Sequence, residues 1–209
     1  MPRAFTDTEK QTIRARLMEA GRACFLRYGL KKTTIEDLVK PAGIAKGSFY
    51  LFFESKEALY VEIMFEEIPV IMDRLIKASF ESTSDVRDAI VRFQRALVAE
   101  IETNAMSRVV LEDPQELARL LEQLDSDDFL ERSMGLFTRV TDVLQKAQKQ
   151  GAMIAGDPQE LAQMLGMIKI LPLYKEKIGA AAYPGLVERM SEVIADGLTC
   201  PARERKKRK

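Results

Sequence analysis

Apolar residues recur at intervals of three and four along nearly the whole chain, and no stretch alternates convincingly between apolar and polar residues. Three-and-four spacing is typical of an amphipathic α-helix, whereas alternation would indicate a half-buried strand. In the first helix, predicted from about Thr8 to Tyr28, the pattern runs through Ile13, Leu17, Ala20 and Cys24. The sequence therefore predicts an all-α fold.

Turn-forming residues divide the first part of this helical pattern into short segments. Gly29 follows the first helix at the position expected of a C-terminal cap. Thr33, with Glu36 three residues later, predicts a capping box at the start of a second helix. Pro41 and Gly43 should end that helix within about two turns, because proline lacks the N–H that continues the hydrogen-bond ladder.

The residues after this turn predict a third short helix, from Lys46 to about Phe52, and a longer fourth helix capped by Ser55. Two short helices that are joined by a glycine-containing turn and braced by a preceding helix form a helix-turn-helix unit. The aromatic face of the third helix should pack on the other helices through Phe49, Phe52 and Phe53. The residues left facing outward are Lys46, Gly47, Ser48, Tyr50 and Leu51.

These outward residues have the chemistry needed to contact DNA. A cation, a hydroxyl and a phenol suit phosphates and base edges, and a glycine lets the backbone approach closely. A short helix of this kind fits the major groove, which is about 12 Å wide. Because the apolar pattern alone would fit any three-helix fragment, the prediction depends on the identity of the outward residues.

The distribution of charge points the same way, although 32 basic and 32 acidic residues give no formal net charge. Residues 1–56 hold 11 basic and 6 acidic residues, whereas residues 57–202 hold 15 basic and 25 acidic ones. Residues 203–209 hold 6 basic residues and one glutamate. The neutral sum conceals a basic segment, an acidic body and a basic tail, and such asymmetry indicates contact with nucleic acid.

The absence of histidine excludes several classes of catalytic and metal site. A Ser-His-Asp triad, a Cys-His dyad and histidine-ligated zinc, iron or haem cannot be built without it. The two cysteines, Cys24 and Cys200, are far apart in sequence and are predicted to be small buried residues. We therefore expect no cofactor, no metal site and no disulfide framework.

No run reaches the ~18–20 apolar residues that a membrane span requires, and no signal-like apolar stretch follows the polar N-terminus. We therefore expect a cytoplasmic protein without a membrane partner. An all-helical enzyme using Asp127, Asp128 and Glu131 is a weaker alternative, because this acidic run is typical of a helix N-terminus.

Beyond residue 60 the helical pattern continues. The fourth helix should reach about Phe80; Pro69 within it and Pro172 in a later helix should each cause a kink or a local irregularity. The peptide Asp-Pro-Gln-Glu-Leu, at 113–117 and again at 157–161, predicts two similar helix starts rather than a solenoid repeat. Further helices are predicted near 85–103, 105–112, 114–125, 127–150, 158–178 and 185–199.

A specific combination of short motifs lies between about Lys10 and Tyr60. Its members are Ala23-Cys24-Phe25, Tyr28-Gly29, Thr33-Thr34-Ile35, Ala42-Gly43-Ile44, Lys46-Gly47-Ser48-Phe49-Tyr50, Phe53 and Ser55-Lys56-Glu57-Ala58-Leu59. In this combination, which covers about a quarter of the chain, the sequence resembles the DNA-binding domain of the TetR family, the tetracycline-repressor-like regulators.

The resemblance implies which residues touch DNA. Lys46, Ser48, Tyr50 and Leu51 would face the operator from the third helix. Thr33 or Thr34, at the start of the second helix, and Lys56, at the start of the fourth, would touch phosphates. A lysine in a first turn opposes the helix dipole, so a phosphate contact would explain its position; a solvated surface lysine is the alternative.

Two positions depart from the family pattern. Ala45 stands where the family usually has a serine or threonine that caps the third helix, so that helix end should be less well fixed. Pro41 stands where the family more often has a helix former, and it should truncate the second helix. These departures make the docking angle and base preference harder to transfer from the family.

For the acidic body, the resemblance implies a helical domain that binds a small molecule and pairs with a second subunit. Met-rich linings suit adaptable apolar cavities, although the same residues have ordinary core spacing. The candidate ligand contacts are Phe93, Met106, Met134, Phe137, Met164, Met167 and Tyr174. An apolar stripe on the last helix supplies the candidate dimer contacts Leu186, Met190, Val193, Ile194 and Leu198.

The sequence thus predicts three parts: a helix-turn-helix domain at 1–54, a ligand-binding and dimerisation domain at 55–201, and a disordered basic tail at 202–209. The predicted function is that of a homodimeric repressor that a small, largely apolar molecule releases from a palindromic operator in double-stranded DNA. Pro69 lies in the helix that connects the helix-turn-helix domain to the acidic body, and we hypothesise that the chain flexes there during this switch. An architectural DNA-binding protein without an inducer is the other alternative.

Overall fold

The computed structural model of the chain describes residues 5–104, 106 and 138–199. Every regular element within these ranges is a helix, which confirms the all-α class. The first five are α1 (Asp7–Lys32), α2 (Ile35–Ala42), α3 (Lys46–Phe49), α4 (Lys56–Ala78) and α5 (Val86–Thr103). The later ones are α6 (Thr138–Lys149), α7 (Pro158–Gly166), a 3₁₀ segment (Met167–Tyr174), α8 (Lys175–Ile178) and α9 (Tyr183–Thr199). None of these described helices is both long and apolar enough to cross a bilayer.

By its packing the chain divides into two compact units. The first contains residues 5–67 with Asn104 and Met106, and the second contains Ile68–Thr103 and residues 138–199. The division falls within α4, which contributes side chains to both hydrophobic cores. The functional boundary expected between residues 54 and 55 stays a prediction.

The core of the first unit holds α1, α2 and α3 against α4. Its fully buried side chains come from all four helices: Leu17, Phe25, Leu38, Phe49, Leu59 and Ile63. At Gly21, α1 approaches α4 so closely that a Cβ atom would lie 2.7 Å from Ile63 Cδ1. The buried Tyr60 hydroxyl donates a hydrogen bond to the carbonyl oxygen of Met106 at 2.6 Å, so the polar end of this core residue is satisfied.

The cap at the start of α2 lies one residue later than the sequence predicted. Thr34 is the N-cap: its hydroxyl accepts from the Asp37 amide at 3.3 Å, and its own amide donates to the Asp37 carboxylate at 2.9 Å. The capping box assigned to Thr33 and Glu36 is therefore wrong. Gly29, at φ 75°, interrupts α1, but helical residues continue for three more positions, to Lys32. Thr33 is therefore the C-cap of α1 and not the N-cap of α2, and its hydroxyl donates to the Gly29 carbonyl at 2.8 Å.

The end of α2 follows the prediction. The helix includes Pro41 and ends at Ala42. The next residue, Gly43, is the C-cap and takes the left-handed conformation at φ 73°, which glycine adopts without steric cost. Because Pro41 has no N–H, the carbonyl oxygen of Asp37 lacks its helical donor. The thiol of the partly buried Cys24 donates to that oxygen at 3.8 Å, so α1 and α2 are joined at the point where the proline opens the ladder.

In the second unit, α5 packs against α9 and against the 3₁₀ segment. Pro172 lies inside this segment, and the helix predicted at 158–178 is split into α7, the 3₁₀ segment and α8. The irregularity predicted there is confirmed, and it follows from the loss of one backbone donor. Pro69 lies inside α4, which runs on to Ala78.

Asp157 confirms one of the two predicted Asp-Pro helix starts. Its carboxylate accepts a hydrogen bond from the Gln159 amide at 3.0 Å, and Pro158 occupies the first helical position of α7. Several other predicted features lie outside the described residues: the second Asp-Pro start at 113–117, the helices near 105–112 and 114–125, the acidic run Asp127, Asp128 and Glu131, Cys200, and the tail 202–209.

Candidate nucleic-acid interface

Two buried aromatic rings anchor α3 to the first unit. Phe49 is completely buried and Phe53 nearly so, with their ring centroids 6.0 Å apart. The α-helix itself spans only Lys46–Phe49, and hydrogen-bonded turns follow it, in which the Leu51 amide donates to the Ser48 carbonyl at 3.2 Å. The predicted extent to Phe52 is therefore too long by three residues: Tyr50 caps the helix, and turns follow it, in which the Phe53 amide donates to the Phe49 carbonyl at 3.2 Å.

The opposite side of α3 and of the turn that follows it, residues 46–51, is open, as the sequence predicted; it is called the outer face of α3 below. Tyr50 exposes 55% of its surface and Leu51 exposes 73%. Lys46 and Gly47 are also exposed, and Ser48 is partly buried. The predicted division of α3 into an aromatic inner face and a mixed polar outer face is confirmed, whereas contact between that outer face and DNA stays a prediction.

The start of α3 has no side-chain cap. Ala45 occupies the N-cap position and makes no capping hydrogen bond, as expected from its methyl side chain. A serine or threonine there would satisfy one of the free amides of the first turn. In this chain α3 therefore depends on the burial of Phe49 and on the tight turn at Gly43 for its position.

An ion pair on the exposed surface engages the only charged residue of α3. Lys46 Nζ lies 2.6 Å from Glu36 Oε1, at the start of α2. Each partner stabilises the charge of the other, which raises the pKa of Lys46 and lowers that of Glu36. Both groups are therefore charged at neutral pH, and the pair is lost as the pH falls through the lowered pKa of Glu36 or rises through the raised pKa of Lys46.

This pair gives a direct test of the DNA-facing role of Lys46. Glu36→Gln should raise affinity for operator DNA by roughly two- to fivefold. In this variant Lys46 does not have to break an ion pair before it contacts DNA, and the DNA phosphates are repelled by one negative charge fewer. Fluorescence anisotropy with labelled DNA at several salt concentrations measures the effect. Asp7→Asn, which removes an exposed carboxylate at the first position of α1, is the control. Equal gains in both variants would point to bulk charge rather than to the pair.

Gly47 separates the requirements of folding from those of binding. A Cβ atom built at Gly47 would meet nothing within 4 Å, so the free chain has room for a side chain there. Gly47→Ala should leave thermal stability unchanged or slightly higher, because alanine favours a helix, yet lower operator affinity by closing the space for the DNA backbone. Thermal unfolding and anisotropy on the same samples test this. Unchanged affinity would mean that this glycine does not approach DNA.

The two threonines at the start of α2 are already engaged within the chain. Thr33 is buried, and its hydroxyl is bound to the Gly29 carbonyl. The Thr34 hydroxyl and amide both contact Asp37, which lowers the pKa of that carboxyl. Of the two, only Thr34 presents an exposed surface. The phosphate contact expected of Thr33 or Thr34 stays a prediction that this geometry favours for Thr34.

Lys56 makes contacts that the sequence did not anticipate. Its Nζ lies 2.7 Å from the carbonyl oxygen of Leu30, 2.9 Å from that of Thr33 and 3.4 Å from that of Lys31. A cation in the first turn of α4 was the signal in the sequence, and a phosphate was the partner inferred for it. In the free chain its hydrogen-bond partners are these three carbonyl groups at and just after the end of α1, and the carboxylate of the adjacent Glu57 lies 3.9 Å from Nζ.

The candidate ligand contacts are not gathered in one place. Phe93 is buried in the core of the second unit, and Met106 in that of the first. Met164, Met167 and Tyr174 each expose about half of their surface. Met134 and Phe137 lie outside the described residues. The described residues contain no group of three or more side chains suited to a metal ion.

A buried amide on α5 was missed by the sequence analysis. Gln94 is fully buried; its Nε2 donates to the Leu165 carbonyl at 3.3 Å, while Oε1 has no hydrogen-bond partner among the described residues. An unpaired buried acceptor is costly and invites a donor. Its signal in the sequence was a polar residue on the buried face between Ile90 and Leu97.

The candidate dimer contacts mostly face the core of their own unit. Leu198 is buried, and Leu186, Met190 and Ile194 are partly buried against that core. Of the five, Val193 alone is mainly exposed, at 65%. The stripe on α9 is therefore chiefly a packing face, with one apolar side chain left on the outside.

Comparison with known proteins finds a family match over the region that contains α2 and α3. The family profile described as bacterial regulatory proteins of the tetR family matches residues 17–63. The transcriptional regulator TtgR of Pseudomonas putida is 28% identical over 111 residues, which cover 50% of this chain and 52% of that protein. The chain thus spans about half the length of that relative. The repressor KstR2 of Mycolicibacterium smegmatis is 28% identical over 148 residues, or 70% of each chain.

Solved structures extend the likeness to the whole fold. A TetR-family regulator from Pectobacterium atrosepticum aligns with a TM-score of 0.72 and 22% identity over 94% of this chain and 98% of its own. RolR in complex with resorcinol aligns with a TM-score of 0.67 and 15% identity over 97% and 95% of the two chains. At these identities the likeness is one of fold.

Proposed function

The chain belongs to the TetR family of transcriptional regulators, and from this premise we propose that it is a homodimeric repressor released from a palindromic operator by a small molecule. Its relatives are transcriptional regulators, which sets aside the enzyme alternative. The observation that supports DNA binding most directly is the open face of α3, with Lys46, Gly47, Tyr50 and Leu51 exposed above the buried Phe49.

In this proposal α3 enters the major groove and its outer face contacts base edges and phosphates. Lys46 breaks its ion pair with Glu36 and contacts the DNA instead, while the phenol of Tyr50 supplies a hydrogen bond and a flat apolar surface. A two-fold dimer presents two such helices about 34–36 Å apart, one turn of DNA, or a multiple of that distance. The operator should then be a palindrome with the same spacing.

For the dimer we propose an interface built from exposed apolar side chains of the second unit. Met164 and Met167 lie three residues apart where α7 passes into the 3₁₀ segment, and Val193 lies on α9. The 3₁₀ segment and α9 pack against each other. Exposed apolar side chains on adjoining elements favour a protein contact over solvent, and a second copy is the partner that a two-fold repressor requires.

A charged residue in this patch should separate the subunits. Val193→Glu is expected to convert a dimer into a monomer, because the carboxylate would be buried against an apolar surface without a partner. Light scattering coupled to size-exclusion chromatography measures the mass. Val70→Glu is a matched control, since Val70 on α4 is 67% exposed. A Val193→Glu protein that stays dimeric would place the interface elsewhere.

For the ligand we propose the second unit as the binding domain and Gln94 as a polar contact. Its unpaired Oε1 would accept a hydrogen bond from a largely apolar molecule that carries a hydroxyl or N–H group. The switch requires only that the ligand bind more tightly to the state with low DNA affinity.

A mobility-shift experiment with DNA from upstream of the chain's own gene tests the proposal. Specific binding should survive an excess of unrelated DNA and weaken steeply with salt, since phosphate contacts release counterions. Loss of the complex on adding a small molecule would favour the repressor over an architectural protein. If upstream DNA binds no better than unrelated DNA, the repressor function should be rejected.

A further inference from the structure

Lys56 holds its ammonium group against the end of a neighbouring helix. It is the first residue of α4, and Nζ lies within 3.4 Å of the carbonyl oxygens of Leu30, Lys31 and Thr33. Leu30 and Lys31 belong to the last turn of α1, and Thr33 follows that helix. The Lys56 side chain is 21% exposed, and the Glu57 carboxylate lies 3.9 Å from Nζ, farther away than the three carbonyl oxygens.

The arrangement satisfies groups that a helix end leaves without partners. The last carbonyls of a helix have no intrahelical donor, and the partial negative charge at this end attracts a cation. An ammonium group carries three N–H donors, and three carbonyl oxygens surround this one. The contact also offsets the unfavourable position of a cation in the first turn of α4, so a phosphate is not needed to explain the lysine.

We propose that Lys56 is a positioning residue, which ties the start of α4 to the link between α1 and α2 and so fixes α2 for DNA binding. Thr33, whose carbonyl accepts from Lys56, immediately precedes the Thr34 N-cap of α2. α2 in turn packs against α3. The role of Lys56 in orienting α3 on the operator rests on the proposed repressor function. The contact of its ammonium group with the three carbonyl oxygens, called the tether below, does not.

Replacement by arginine and by methionine distinguishes a tether from a phosphate contact. Arginine keeps the charge and binds phosphates well, but its planar guanidinium group does not reproduce a compact ammonium group with three donors on one nitrogen. A phosphate contact should therefore survive Lys56→Arg, whereas the tether should not. Methionine keeps much of the apolar stem and removes the donors. Lys40→Met, at an exposed lysine of α2, controls for the loss of one charge.

The first measurement is hydrogen exchange of the full-length protein without DNA. Lys56→Met and Lys56→Arg should each speed exchange of backbone amides in residues 30–38 by on the order of tenfold, because local opening becomes easier. Lys40→Met should leave that segment unchanged. Wild-type exchange rates in both Lys56 variants would overturn the proposal, whatever the DNA measurements show.

The second measurement is operator affinity as a function of salt. Loss of the tether should lower affinity about tenfold in both Lys56 variants while the salt slope stays that of the wild type. Loss of a phosphate contact would instead reduce the slope by about one per contact in Lys56→Met and leave Lys56→Arg close to normal. That second pattern would overturn the proposal. A wild-type protein that fails to bind DNA specifically would reject the repressor function but not the tether, which hydrogen exchange measures independently.

Discussion

Replacing Phe49 with alanine is expected to lower the free energy of unfolding of the first unit by about 3–5 kcal/mol. The ring is completely buried, stacks in a tilted contact with Phe53 and meets the Tyr50 ring edge-on at 5.5 Å. Truncation removes these contacts and leaves a cavity between α3 and the helices beneath it, which a four-residue helix without a side-chain cap cannot readily fill. Urea unfolding followed by circular dichroism measures the loss.

Phe49→Leu and Tyr50→Ala are the comparisons for this experiment. Leucine keeps most of the apolar volume, so Phe49→Leu should cost clearly less than the alanine variant. Tyr50 is the next residue along the chain but is 55% exposed, and Tyr50→Ala should cost less than about 1 kcal/mol. Should Phe49→Ala be no more destabilising than Tyr50→Ala, the inner and outer faces of α3 would have been assigned incorrectly.

Periodicity was sufficient to assign these two faces from the sequence. Side chains four residues apart lie on one side of a helix, and this spacing predicted that Phe49 and Phe53 face the core together. Although α3 ends at Phe49, the Phe53 amide still donates to the Phe49 carbonyl at 3.2 Å, so the two rings stay on one side. The glycine-containing turn at Gly43 was predictable for a similar reason, since its left-handed φ is a property of one residue. Features that depend on a few neighbouring residues were therefore accessible.

Helix ends and contacts between helices were harder to predict. Thr33 and Thr34 are both acceptable caps with an acidic residue three positions later, and the choice depended on how far α1 continued beyond Gly29. Lys56 presented the same difficulty. Its position in a first turn was recognised as unusual, but its partners lie 23 to 26 residues earlier in the sequence, and only the packing of α1 against α4 brings them together.

The apolar stripe on α9 shows why spacing along one helix does not distinguish a core contact from a subunit contact. Leu186, Met190 and Ile194 have the spacing of a contact face, but a core contact and a subunit contact produce the same spacing. The structure places these three against the core of their own unit and leaves Val193 exposed. Distinguishing the two kinds of face required the positions of α5 and the 3₁₀ segment.

The outer face of α3 carries the largest effect expected on DNA binding. Tyr50→Ala or Lys46→Ala should each weaken operator binding by roughly 5- to 150-fold, because each removes a group that would contact base edges or phosphates. Lys46→Ala should also reduce the dependence on salt, since it removes a cation, whereas Tyr50→Ala should leave that dependence nearly unchanged. Anisotropy titrations with operator DNA at several salt concentrations separate these two contributions.

Tyr28→Ala is the matched control for Tyr50→Ala. Both tyrosines are about half exposed, and both lie in the first unit, but Tyr28 lies on α1. Tyr28→Ala should therefore leave operator affinity within about twofold of the wild type. If the two tyrosine variants lose affinity equally while both stay folded, the loss cannot be assigned to α3. If Tyr50→Ala binds weakly and unfolds normally while Phe49→Ala unfolds early, the adjacent residues divide recognition and stability between the two faces of one helix.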